Sequence, residues 1–249
     1  MTAITRQVGD CKVVVSSKGG MVSEFQWGDK DIFYPRQSDS GRKRGGNQIC
    51  SPYFGKLDEF PNWPRHGWFR EKELDLKTWE DNHIGCLSVS LEKNDRFKNT
   101  YVTLTHTLSA SGLLTSLSIS AYLSSLSSSV NPINPGFRPY FPTFGECQII
   151  SGYEPIVQIK EGDQGKFPAK LFPYPNFGRI GICNKNGTTI MILSGDFSPD
   201  SSIVIWSDRV ERYICVGSVF QKVGEYVELG KNEFSKKIEL CIAFIFMPH

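Results

Sequence analysis

Leu114–Ser129 reads LTSLSISAYLSSLSSS, with the apolar residues Leu117, Ile119, Ala121 and Leu123 on every second position. That is the period of a half-buried strand, because successive side chains of an extended backbone point to opposite faces. The serines of 124–129 then read as a strand end and loop. Upstream, Thr100–Leu108 alternates in the same way, and Ser109-Ala110-Ser111-Gly112 between the two runs is a turn signal.

The pattern continues in both directions. Cys11–Ser16, Met21–Trp27 and Asp31–Tyr34 are short β-rich runs cut by Lys18-Gly19-Gly20 and Gly28-Asp29-Lys30. Glu73–Trp79 and Ile84–Leu91 alternate, and Asn94-Asp95 marks a turn after them. Later candidates are Cys147–Ser151, Ile156–Lys160, Ile180–Asn184, Thr188–Ser194, Ser202–Trp206, Tyr213–Val219, Tyr226–Leu229 and Lys236–Phe246. No amphipathic helix of four turns, no linker and no internal repeat interrupts the series. The expectation is one all-β domain over residues 1–249, a sandwich or barrel.

Composition narrows the function classes. A formal net charge of +2 is too small to argue for nucleic acid or a membrane surface. Seven scattered cysteines without a CxxC pair point to neither a disulfide framework nor a zinc site. Free thiols in apolar runs suit a reducing compartment. The opening residues, MTAITRQVGD, lack the apolar core of a secretory signal, and no apolar window is long enough to span a bilayer. A soluble cytoplasmic protein is expected. His66, His83, His106 and His249 show no metal-ligand spacing, and no phosphate-binding glycine loop precedes a helix, so neither metal nor cofactor is expected.

Two stretches fit no period. Arg44–Arg70, RGGNQICSPYFGKLDEFPNWPRHGWFR, reads as a long surface loop, a class of segment that often carries function. Arg44 before Gly45-Gly46 sets a guanidinium beside backbone that a ligand could approach closely. Arg70 adds a second fork suited to phosphate or carboxylate. His66 lies between Trp63 and Trp68, whose faces could stack on a sugar ring. The same residues read equally as a solvated basic turn, Arg42-Lys43-Arg44, beside an aromatic plug; composition alone favours that version. The second stretch, Asn131–Phe144, holds Arg138 between aromatics, for which stacking is a sufficient structural reason. Cys215 reads as core rather than nucleophile, and Asp208, Glu225 and Glu228 as solvated surface. His83 and His106 read as a turn and a strand residue without a chemical role.

Taken in order, these segments resemble the aldose 1-epimerase (galactose mutarotase-like) superfamily, most closely its glucose-6-phosphate 1-epimerase or hexose-phosphate mutarotase branch. Gly19-Gly20-Met21-Val22 is similar to an early glycine-rich strand entry, and Arg44-Gly45-Gly46 with Ser51–Gly55 to the family's RGG…C.P.FG loop. Arg65–Arg70 is similar to its HGFAR motif. Phe137–Phe141 and Tyr213–Val219 fall where the family carries H-x-Y-F and VCVEP. The resemblance implies an antiparallel β-supersandwich with a sugar site on a concave face. It also implies that Arg44, His66 and Arg70 contact the sugar or its phosphate, beside Trp68 as a stacking face, and that no cofactor is needed.

The resemblance places the family's general acid at Arg138 and its general base at Gly217. Arginine keeps its proton up to a pH above about 12, and glycine has no side chain. A positioned acid or base contributes on the order of 10²–10⁴-fold each. The implied function is therefore binding of a sugar or sugar phosphate with little or no mutarotase activity, Arg138 adding charge to the cleft. Two alternatives stand beside it. One is an active aldose or hexose-6-phosphate 1-epimerase using other groups, with His66 as the histidine to nominate. The other is a non-catalytic scaffold with a protein assembly partner, as related members serve in photosynthetic NADH dehydrogenase-like complexes.

Overall fold

The computed structural model describes residues 2–39, 42–80, 82–93, 96–122, 131–229 and 235–248. Asn94-Asp95, the serines of 124–129 and His249 lie outside them. Every strand pair is antiparallel, and among the described residues there is no α-helix, only two short 3-10 turns. The all-β reading holds.

Two large sheets carry the fold. The first runs Ala3–Val8, Cys11–Ser16, Val22–Trp27, Asn47–Cys50, Gly136–Pro142, Tyr213–Val219, Ser202–Ser207 and Phe167–Pro173, with Lys30–Asp31 paired to Val22–Trp27. The second runs Glu154–Ile159, Cys147–Ser151, Arg179–Asn184, Gly187–Gly195, Ser235–Pro248, Gly112–Tyr122, Thr100–Ser109, His83–Ser90 and Lys77–Trp79. One hydrophobic cluster joins their facing sides, with Phe33 and Phe141 of the first sheet's layer packed on Phe244 of the second. This is a sandwich, with the core between the sheets.

The alternating runs behave as their period demands. Thr100–Ser109 and Gly112–Tyr122 pair in continuous register from Thr100↔Ala121 to Ser109↔Gly112, burying every second side chain. His106 points inward from this sheet: its Nε2–H donates to the Gly20 carbonyl at 2.8 Å, and its Nδ1 accepts from the Thr115 hydroxyl at 2.9 Å. A bland structural role for His106 stands.

Both aperiodic stretches need correction. Asn47–Cys50, inside the expected surface loop, is an interior strand buried on both faces. Gly45 and Gly46 are there for the chain itself rather than for a ligand. Both have positive φ, and a Cβ on either would lie 2.3 Å from a carbonyl oxygen, that of Pro35 or Val22. The second stretch, Asn131–Phe144, contains the strand Gly136–Pro142 at the middle of the first sheet. Proline is tolerated because the ladder is broken where it sits. The pairing passes from Phe137↔Ser218 to Tyr140↔Cys215, leaving Arg138 and Pro139 opposite Gly217 and Val216 without ladder partners on that side. Two edge strands, Ala3–Val8 and Phe167–Pro173, gave no periodic signal strong enough to expect them.

Candidate functional site

The face of the first sheet turned away from the core is covered by its own layer of side chains. Tyr34, Tyr140, Tyr213 and Cys215 cluster there with Trp206. Beside them Cys50, Phe54, Val204 and Val219 form a second group against the same tryptophan. Next to this layer opens a cavity of about 520 Å³. Its wall carries six cationic side chains, Lys18, Arg36, Lys43, Arg44, Arg70 and Arg138, and one acid, Glu71. Such an imbalance in a concave, partly dry site focuses a positive field on whatever enters.

The cations are held in different ways. Arg44 is committed to Asp208, with Nη2 and Nε donating to Oδ2 at 2.6 and 3.0 Å, while Nε also reaches the Tyr213 hydroxyl at 3.2 Å. Burial works against the Arg44 charge, but the hydrogen bond to Asp208, together with the other groups around it, leaves the guanidinium pKa raised. Lys18 pairs with Glu71 at 2.7 Å, and Arg70 Nε stands 3.6 Å from the other oxygen of the same carboxylate. Arg138 has no acidic partner among the described residues. Its guanidinium lies 4.9 Å from the Trp206 ring centre and 5.5 Å from that of Tyr140, and Arg44 shares Trp206 at 5.2 Å. Stacking of this kind supports a guanidinium without neutralising it.

Of the residues nominated from sequence, the fold gathers Arg44, Arg70 and Arg138 on one cavity. Gly217 sits across from Arg138, and its missing side chain is accounted for: a Cβ there would approach the Phe54 ring at 3.1 and 3.3 Å. The space a glutamate would use is occupied by a phenyl ring. His66 and Trp68 do not line the cavity. Trp68 is 7% exposed, packs edge-on against Tyr53 and Phe97, and donates its indole N–H to the Leu91 carbonyl. Its ring is enclosed by core aromatics and by the Lys93 ammonium, which lies 5.3 Å from the ring centre. His66 is 5% exposed, stands edge-on to Phe54, and its Nδ1 accepts the Gly55 N–H at 3.0 Å. Burial first, then Arg138, Arg70 and Arg65, push its pKa down to about 2.

Asp208, expected as solvated surface, instead anchors Arg44. Arg36, Gln48 and Trp206 belong to this region and were not nominated. Arg36 follows a proline with no flanking pattern, so only the tertiary fold reveals it. Cys215 is fully buried with its thiol pushed up to about 12, chiefly by burial, which fits a core residue and not a nucleophile. Among the described residues no group of three His, Cys, Asp or Glu side chains converges as a metal site, and no helix is long and apolar enough to cross a membrane.

Solved structures with this architecture span nearly the whole chain. The Slr1438 protein from Synechocystis sp. PCC 6803 superposes with a TM-score of 0.76 at 14% identity, covering 100% of this chain and 96% of that one. A galactose mutarotase-like protein from Lactobacillus casei ATCC 334 gives 0.71 at 15%, covering 98% and 100%. The fold is the galactose mutarotase-like sandwich. Galactose 1-epimerase from Lactobacillus acidophilus NCFM shares it at a TM-score of 0.63 and 10% identity, over 99% and 94% of the two chains. Identities this low establish the galactose mutarotase-like fold and nothing finer. No protein-family profile and no curated protein matches the chain.

Proposed function

We propose that this chain is a single mutarotase-like domain that binds an anionic sugar, foremost a sugar phosphate, in the cationic cavity, and that it has little or no epimerase activity. The observation that carries the reading is a pair of residues on neighbouring strands, Arg138 in the cavity wall and Gly217 across from it. Where the resemblance puts a proton donor, Arg138 presents a stacked guanidinium. Where it puts a carboxylate base, Gly217 is capped by Phe54.

Mutarotation needs one group to remove the anomeric hydroxyl proton and another to protonate the ring oxygen. Guanidiniums and ammoniums dominate the cavity wall and do neither near neutral pH. The wall's one acid, Glu71, is tied to Lys18 and Arg70. His66 is not a substitute. An imidazole held neutral with a pKa near 2 is too weak a base and carries no readily released proton. Binding is a different matter, since charge complementarity and hydrogen-bond donors are abundant. Isothermal titration with glucose 6-phosphate and glucose tests the reading. Heat with the phosphate ester and little with the neutral sugar is expected; no heat with either contradicts it.

A further inference from the structure

Resting on that reading, we infer that Arg36, Arg70 and Arg138 form the anion seat of the cavity and that it takes a doubly charged phosphomonoester. Three observations converge. First, Arg44 and Lys18 already hold carboxylates at 2.6 and 2.7 Å, so their charges are largely compensated from within the chain. Second, the remaining guanidiniums carry buried N–H groups that make no hydrogen bond among the described residues: Arg36 Nη1, Arg138 Nε and Arg70 Nε, the last with only the Glu71 carboxylate near it, at 3.6 Å. Arg138 is itself only 9% exposed. A buried charged donor without an acceptor is costly to keep, and its persistence in a cavity wall marks a place where an acceptor is meant to sit.

Third, Arg138 and Arg70 are both close enough to Arg36 to repel its charge. Burial is the first cause of a lowered Arg36 pKa, and Arg138 and Arg70 are the cationic neighbours that lower it further. Bringing a monoanion among three like charges relieves only part of that repulsion. A phosphomonoester at its second ionisation brings about two negative charges and three acceptor oxygens, matching the number of forks offered. Gln48, opposite Arg138 in the strand register, lines the same wall and can serve a neighbouring hydroxyl or ester oxygen.

The test uses the full chain and its Arg36→Met and Arg36→Lys variants, titrated with glucose 6-phosphate, glucose 1-phosphate and inorganic phosphate by phosphorus NMR between pH 5 and 7.5. The expected result is binding of at least one ester by the parent chain, strengthening as pH rises through about 6, where the phosphate gains its second charge. Arg36→Met weakens that binding by at least about tenfold, and Arg36→Lys recovers part of it. The pH profile belongs to the parent chain, so it decides the matter even if a variant fails to fold. An ester that binds without this pH dependence, or with Arg36→Met unaffected, overturns the seat while leaving the sugar-phosphate reading intact. Arg36-dependent binding of inorganic phosphate with neither ester bound supports the three arginines as an anion seat but overturns both the phosphomonoester as its occupant and the sugar-phosphate reading. No phosphate species bound overturns both.

Discussion

At position 217 an added Cβ would come within 3.1 Å of a buried phenyl ring, so reinstating a glutamate there means displacing Phe54 as well as burying a carboxylate. Gly217→Glu is expected to lower stability by about 1–3 kcal/mol, read from the urea midpoint. In the double variant with Phe54→Ala the loss should fall short of the sum of the two singles, because the second change vacates the space the first requires. Additive losses would mean that the ring and the glycine are independent. The buried histidines give a second residue-level prediction. His66 is pushed down to about 2 and His106 to about 4, burial being the first cause in both, against about 6.5 in an unfolded chain. Below 6.5 the unfolded chain therefore binds more protons than the folded one. Their contribution is complete above that pH and is lost as pH falls from 6.5, down to about 4 for His106 and about 2 for His66. The His66 ring resonances should stay flat between pH 8 and 4.5 in an NMR titration; an inflection near 6.5 would contradict the buried, neutral assignment.

Among the elements, the ion pair between Arg44 and Asp208 links the Gln37–Asp39/Arg42–Arg44 hairpin to the end of strand Ser202–Ser207, with both side chains partly buried. Asp208→Ala should cost about 1–3 kcal/mol in chemical denaturation, since it strands a half-buried guanidinium. A change of a few tenths would class the pair with ordinary surface bridges. The contrast between elements also explains what could be read from sequence. Strands with one face on the core, such as Thr100–Ser109, alternate and were legible. Asn47–Cys50 and Gly136–Pro142 are buried on both faces, because the outer aromatic layer covers the side that would otherwise be solvated. Two-sided burial erases the alternation, and glycines and prolines completed the disguise. Arg138 and Gly217 could be nominated from short motifs. Arg36 and the Arg44–Asp208 pair could not, because they depend on contacts between residues far apart in the chain.

For the molecule as a whole, two sheets with a shared core position one cavity, whose wall carries six cationic side chains and one acid. Field focusing of this kind makes salt a direct probe. Affinity for a sugar phosphate should fall steadily between about 50 and 500 mM NaCl as screening increases, whereas any binding of neutral glucose should hardly respond. The central claim, recognition without catalysis, is most directly tested by two-dimensional exchange NMR on the anomers of glucose 6-phosphate with the protein present. Broadened or transferred resonances that report binding are expected, together with an anomer interconversion rate equal to that in buffer. An interconversion rate that climbs in proportion to protein concentration would contradict it.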